Sequence, residues 1–320
     1  MNRWIAIGCG ILALVAPEVA RAQDYPSRTI TMVVPFAAGS GTDGVARVLM
    51  PRLEAALRQT IVIENKPGAT GTIGSQVVAR AAPDGYTLLM GGVSSHAASK
   101  ALLKSVPYDP LKDFIAIGKI GLYPFPYLVA ASNPAKTLAE FVTYAKRNPG
   151  KLSYAYANAP GRIALEALKR QEKIDLAAVP YRASATAVTD LVAGRVDIMV
   201  VDYTTALGQI QDKNLRPLST SSQARSPLLP DVPGLAEQGF EWLDLQAYVG
   251  LMAPAGTPDA IIRRWRQELT RALAEPETVA KLAAVGFEVS RENPEDFPRR
   301  LEADIATWTR QAREAGIEPE

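Results

Sequence analysis

Cysteine and histidine are all but missing: the chain of 320 residues holds one of each, Cys9 and His96. One thiol cannot pair within the chain, so no disulfide framework is available. A structural zinc site needs about four Cys or His ligands and is excluded by the same count. An excess of one charge is missing too. The 35 basic and 33 acidic residues nearly cancel and form no blocks, so there is no basic stripe for nucleic acid and no such partner is expected. Apolar runs long enough to cross a bilayer, about 20 residues, are absent. What is there is an ordinary globular composition, 48% hydrophobic and 21% charged, which excludes a collagen, a coiled coil or a disordered tail. The length suits about two domains.

The first residues read as a leader rather than as fold. Arg3 is a positive start, Ile5 to Val15 an apolar core broken by Pro17-Glu18, and Ala20-Arg21-Ala22 a small-x-small cleavage site. A secretory signal peptide over 1–22 is expected, cut after Ala22, with the product in the periplasm. Cleavage removes Cys9, Arg3, Arg21 and Glu18 and leaves 33 basic against 32 acidic residues, a formal charge of +1.

Strand-like and helix-like segments then alternate, the pattern of an α/β fold. Thr29 to Val34 is β-rich, and Asp43 to Leu57 carries Val45, Val48, Leu49, Leu53 and Leu57 on one helical face. Ile61 to Glu64, a helix over Gly71 to Ala81, and Tyr86 to Met90 follow, implying parallel pairing with right-handed crossovers. In the middle, strands are expected at Pro126 to Ala130, Leu152 to Tyr156, Val196 to Val201 and Leu215 to Thr220, with helices at Thr137 to Asn148, Arg162 to Glu172 and Ala185 to Ala193. Ala247 to Ala253 returns to strand. Thr257 as N-cap with Pro258 at the first helical position opens a helix burying Ile262, Trp265, Leu269 and Leu273. The last helix buries Leu301, Ile305 and Trp308.

The loop after the first strand contains Gly39-Ser40-Gly41-Thr42-Asp43-Gly44, with Glu64 twenty residues beyond Gly44. This matches a dinucleotide fingerprint on paper, but Pro35-Phe36-Ala37-Ala38 separates strand from glycines, so no cofactor is expected. A Gly-rich turn opening a helix still presents unpaired N–H groups and a positive dipole end to an anion. Asp43 has two readings, a ligand contact or a cap paired with Ser40. A second turn, Asn65-Lys66-Pro67-Gly68-Ala69-Thr70-Gly71, opens at the same sheet edge, and the pair makes a carboxylate cradle. No G-x-S-x-G elbow occurs, and a His-based triad hangs on His96 in Ser94-Ser95-His96. Metal catalysis lacks ligands. The chain is not expected to be an enzyme.

Tyr25-Pro26, Val33-Val34-Pro35-Phe36, the Gly39-to-Asp43 loop, Glu64-Asn65-Lys66-Pro67-Gly68-Ala69, Ala82-Pro83-Asp84-Gly85-Tyr86 and Tyr108-Asp109-Pro110 together resemble the Bug family, extracytoplasmic receptors of tripartite tricarboxylate transporters. Val179-Pro180-Tyr181, Ala193-Gly194-Arg195-Val196-Asp197, Leu229-Pro230-Asp231-Val232-Pro233 and Ala253-Pro254-Ala255-Gly256-Thr257-Pro258 continue the likeness along the chain. The resemblance implies a two-domain Venus-flytrap fold of the type II-like periplasmic binding protein kind. The chain would cross the hinge twice, near Gly121 to Pro126 and near Val249 to Met252. Domain 1 is then 23–123 with 250–320, and domain 2 is 124–249.

The resemblance further implies a monomer that closes on a small organic acid and delivers it to two integral-membrane transporter subunits. The acid is a dicarboxylate, a hydroxy or amino acid, or an aromatic acid. The alternative is a sensor signalling to a membrane histidine kinase. One carboxylate would be held by Phe36, Ser40, Gly41, Thr42, Gly68, Ala69 and Thr70. Ser94 and His96 are further candidate ligand contacts. The second lobe departs from the family: Ala157-Asn158-Ala159-Pro160-Gly161-Arg162 replaces a Ser/Gly-rich run, Leu165 takes a usual His position, and Arg182-Ala183-Ser184 replaces a basic residue followed by Gly. Asn158, Arg182 and Ser184 are candidate ligand residues there. Arg162 reads either as a bidentate clamp on a distal carboxylate or as a solvent-facing first-turn residue. Asp202 reads either as acceptor of a ligand hydroxyl or ammonium or as a helix N-cap.

Overall fold

A computed structural model describes residues 25–243 and 245–319; the expected leader and its cleavage site lie outside them. β1 (Ile30–Val34) is apolar and almost wholly buried. It leads into α1 (Gly41–Leu57), where the Ser40 hydroxyl accepts from Asp43 N at 3.3 Å. The buried stripe of α1 includes Val45, Leu49, Leu53 and Leu57. β2 (Ile61–Asn65), a 3₁₀ turn (Ala69–Gly71), α2 (Thr72–Ala79) and β3 (Thr87–Gly92) complete the first unit. β1 pairs in parallel with both β2 and β3. A π-helical turn (Val93–Ala97) and the short α3 (Ser99–Leu102) follow, then β4 (Phe114–Tyr123).

The chain next builds a second sheet from β5 (Tyr127–Ala130), α4 (Leu138–Arg147), β6 (Leu152–Tyr156), α5 (Ala159–Glu172), β7 (Leu176–Pro180), α6 (Ser184–Val192), β8 (Ile198–Val200), α7 (Tyr203–Gln211) and β9 (Leu215–Ser219). It returns through β10 (Ala247–Pro254), α8 (Asp259–Ala274), α9 (Pro276–Ala284), β11 (Glu288–Val289) and α10 (Phe297–Glu314). The first sheet is ordered β11-β4-β10-β3-β1-β2 and the second β7-β6-β8-β5-β9. Each sheet with its helices is called a lobe below.

β10 runs antiparallel between β3 and β4, and all its residues are buried. A central strand covered on both faces reads as a continuous apolar run, as AYVGLMAP does. The chain leaves the first sheet after Tyr123, where Pro124 O accepts from Tyr203 N at 2.9 Å. It comes back through residues 220–246, pinned by Ser221 Oγ on Leu245 O at 2.8 Å and Gln223 Nε2 on Leu243 O at 2.7 Å. The second crossing therefore precedes the stretch expected from sequence: Val249 to Met252 lie inside β10, hydrogen-bonded on both sides. A correction applies at α8 as well. Thr257 Oγ1 donates to Pro254 O at 2.8 Å, and the cap position falls on Pro258. The apolar face of α8 holds as read: Trp265 is fully buried, with its indole N–H on Tyr25 Oη at 2.6 Å.

Candidate functional site

A cavity of about 610 Å³ lies between the lobes, where loops at the carboxyl ends of β1, β2, β6 and β7 face one another, the edge at which α/β sheets bind ligands. Phe36, Ser40, Gly68, Ala69 and Thr70 line it from the first lobe, and Asn158, Arg162, Arg182 and Ser184 from the second. A smaller cavity of about 50 Å³ shares Phe36, Ser40, Asn158 and Ser184 with it, and adds Gly41, Thr42, Ser94 and Asp202. Of the residues expected at the site, Asp43 and His96 line neither cavity.

The first-lobe wall is backbone. Gly68, Ala69, Thr70 and Gly71 have φ of 132°, 43°, 56° and 91°, and two of these residues carry a Cβ that disfavours such angles. Backbone held in this region costs on the order of 1–3 kcal/mol per residue and gathers at functional sites. Successive N–H groups in such a turn form a concavity suited to an anion. Gly71 admits the Phe36 ring so closely that a Cβ there would lie 3.2 Å from it. Asp43 serves the same loop from behind. Its Oδ2 accepts from Gly39 N and Arg47 Nε, both at 2.9 Å, and its Oδ1 from Asn65 Nδ2 at 3.0 Å. Burial works to raise its pKa, but the bonds from Arg47, Gly39 and Asn65 outweigh it and hold the carboxyl below the usual range. The carboxylate is therefore committed to shaping the loop.

The second-lobe wall is more cationic. α5 begins three residues earlier than its apolar pattern suggested, with Asn158 as N-cap accepting from Gly161 N at 2.9 Å. Ala159 N donates across the cleft to Ser94 Oγ at 3.1 Å, and Pro160 has no N–H to offer, so this helix end is already occupied. α6 differs: no side chain caps it, and Ser184 and Ala185 of its first turn line the cavity. Arg162 sits 5.3 Å from the centre of the Tyr156 ring, half-buried, and so is not simply solvent-facing. Arg182 is exposed at the rim. Among the described residues, the charged side chains that line the large cavity are Arg162 and Arg182.

Asp202 combines its two sequence readings. Its Oδ1 caps α7, accepting from Thr205 N at 2.8 Å and Thr205 Oγ1 at 2.7 Å, while the side chain also borders the small cavity. Burial pushes its pKa up against those bonds. It lies so close to Gly41 across the cleft that any Cβ at Gly41 would overlap the carboxylate.

His96 belongs to the core, which corrects its placement at the site. It is fully buried, edge-on to Phe114 at 4.6 Å, with Nδ1 3.0 Å from Ser95 Oγ and Nε2 without a partner. Burial pushes its pKa down to about 3. The π-helical turn places Ser94 at the small cavity and His96 in the core, where the hydroxyl beside the imidazole is that of Ser95.

Tyr156 and Tyr181 line the cavity and were not singled out as site residues. The signal was their position, just at or after the carboxyl ends of β6 and β7. Among the described residues no group of three or more His, Cys, Asp or Glu is placed to hold a metal ion, and no helix is long and apolar enough to cross a membrane.

Residues 45–317 match the tripartite tricarboxylate transporter family receptor, TctC. BugT of Bordetella pertussis is 33% identical over 325 residues, covering 99% of this chain and 98% of BugT. Among solved structures, R. palustris Rpa4515 with adipate superposes with a TM-score of 0.90 at 32% identity, covering 93% of this chain and 100% of that one. MatC (Rpa3494) from Rhodopseudomonas palustris with bound malate gives 0.84 at 33% identity, covering 90% and 100%. The two-sheet α/β architecture, with its cavity between facing loop edges, is thus a periplasmic solute-binding fold, and the chain belongs to the receptor family of the tripartite tricarboxylate transporters.

Proposed function

We propose that the chain is exported, cleaved after Ala22, and captures a small dicarboxylic acid by closing its two lobes around it. The observation that carries this reading is the large cavity's lining: Arg162 and Arg182 stand on one side, and the donor-rich backbone of the Gly68–Thr70 turn on the other. Its volume suits a small-molecule ligand. One carboxylate would rest on Ser40 and the Gly68–Thr70 turn beside Phe36. The other would meet Arg162, Arg182 and the uncapped start of α6, near Asn158 and Ser184. Two anionic groups then face two cations and two sets of N–H donors, and closure excludes the water that would screen them. That Rpa4515 holds adipate and MatC malate supports the same class of ligand. The closed monomer would then be read by two membrane transporter subunits.

The test is calorimetric titration of residues 23–320 with straight-chain dicarboxylates and with the matching monocarboxylates. Dicarboxylates should bind, and at about 100 times Kd should add roughly 2.7 kcal/mol of stability. Arg162→Ala should weaken them selectively. Tighter binding of the monocarboxylates would overturn the reading. The exported protein should begin at Gln23 by mass spectrometry; an intact leader would overturn the cleavage.

A further inference from the structure

β6 and α5 meet in register. Tyr154 and Tyr156 are two apart on β6 and share one face of the strand. Arg162, Glu166 and Lys169 are four and three apart on α5 and share one face of the helix. Two strand residues span about 6.6 Å and four helical residues about 6 Å, so a helix running back along the strand lays one stripe over the other. The contacts follow that match. The fully buried Tyr154 donates its hydroxyl to Glu166 Oε1, which also accepts from Lys169 Nζ at 3.0 Å. Lys169 Nζ in turn stands 5.3 Å from the centre of the Tyr154 ring. One step nearer the cleft, the Arg162 guanidinium stands over the Tyr156 ring at 5.3 Å, and both residues line the large cavity. The two rings are 5.8 Å apart and inclined by 33°.

The inner contacts fix the stripe, and the outer pair presents it to the cavity. A guanidinium is attracted to an aromatic ring through its flat face, whereas it binds a carboxylate through its N–H edge. The two contacts do not compete. A long arginine side chain samples many rotamers in water, and ordering it on binding lowers affinity. Held on Tyr156, Arg162 has given up that freedom before a ligand arrives. Arg182, the other cation of this wall, is exposed at the rim.

Resting on the dicarboxylate reading, we infer that Tyr156 is a positioning residue: its ring holds the Arg162 guanidinium at the cavity wall, preorganised for the second carboxylate of a diacid. Tyr156 then acts through Arg162 rather than on the ligand, and it favours a diacid over the monoacid of the same length.

The experiment is a double-mutant cycle read by calorimetric titration of the purified protein with butanedioate, hexanedioate, butanoate and hexanoate. Tyr156→Leu should weaken the diacids by about threefold to tenfold, the range of a cation–π contact, and leave the monoacids within about twofold of wild type. In an Arg162→Ala background the same substitution should change diacid affinity by less than about twofold, because the group it acts through is gone. Tyr156→Phe keeps the ring and should retain wild-type diacid affinity. A ring-current measurement needs no ligand: the Arg162 side-chain proton resonances should lie upfield in wild type and in Tyr156→Phe, and move back in Tyr156→Leu. Losses that add in the double variant, equal weakening of monoacids and diacids, a Phe variant as weak as the Leu variant, or Arg162 resonances without the upfield shift each overturn this inference and leave the dicarboxylate reading standing. A wild-type chain that binds the monoacids more tightly, or an Arg162→Ala chain that binds the diacids as wild type does, overturns both.

Discussion

The single histidine makes an acid-stability experiment unusually clean. His96 is neutral in the fold because burial pushes its pKa down to about 3, against about 6.5 in an unfolded chain. Above pH 6.5 both states are neutral and the residue adds no pH dependence. Between pH 6.5 and 3 the unfolded chain binds a proton that the folded chain refuses, so stability falls with pH at up to about 1.4 kcal/mol per unit. By pH 4 the accumulated loss is about 3 kcal/mol, a large share of the 5–15 kcal/mol typical of domains. Carboxylates contribute to acid unfolding as well, and the comparison with His96→Gln removes them. Urea unfolding followed by tryptophan fluorescence at pH 7, 6, 5 and 4 should show the stability of wild type minus that of the variant falling by about 3 kcal/mol from pH 7 to pH 4, whatever its value at pH 7. A constant difference would refute the burial argument. So would an imidazole proton resonance that titrates near pH 6.5 in the folded protein.

Two further outcomes follow from contacts across the cleft. Gly41→Ala improves a helical position in the open form, yet its methyl overlaps Asp202 when the lobes meet; ligand affinity should fall at least about tenfold while ligand-free stability holds or rises by a few tenths of a kcal/mol. Wild-type affinity by calorimetry would show that closure does not bring these groups together. Ser94→Ala leaves the buried Ala159 N–H without its acceptor, which costs about 1–3 kcal/mol in the closed form only. All acids should therefore weaken together by about fivefold or more, with an unchanged rank order, and a change in rank order would instead make Ser94 a ligand contact.

Much of the first lobe was legible because its determinants are local. Gly39, Gly68 and Gly71 adopt the positive φ that their turns require, and the spacing of Val45, Leu49 and Leu53 sets the face of α1. β4 was passed over because FIAIGKIGLY carries a lysine and two glycines. In the fold Lys119 is buried against Glu292 at 2.7 Å, and Gly121 lets β11 approach, since a Cβ there would overlap Glu288 O. Neither partner is near in sequence. The start of α5 was placed late for a related reason: its first turn is held by a serine from the other lobe.

The sequence by itself determined the α/β class, the two glycine turns and the family, because each of these is written in neighbouring residues. Only the tertiary structure decided what the polar residues do. It turned His96 into the core, tied Asp43 to the back of its own loop, split Asp202 between a helix cap and the cleft, and moved the second crossing ahead of β10. Those roles depend on which groups meet across the fold and how much water they lose there, and neither quantity is carried by sequence spacing.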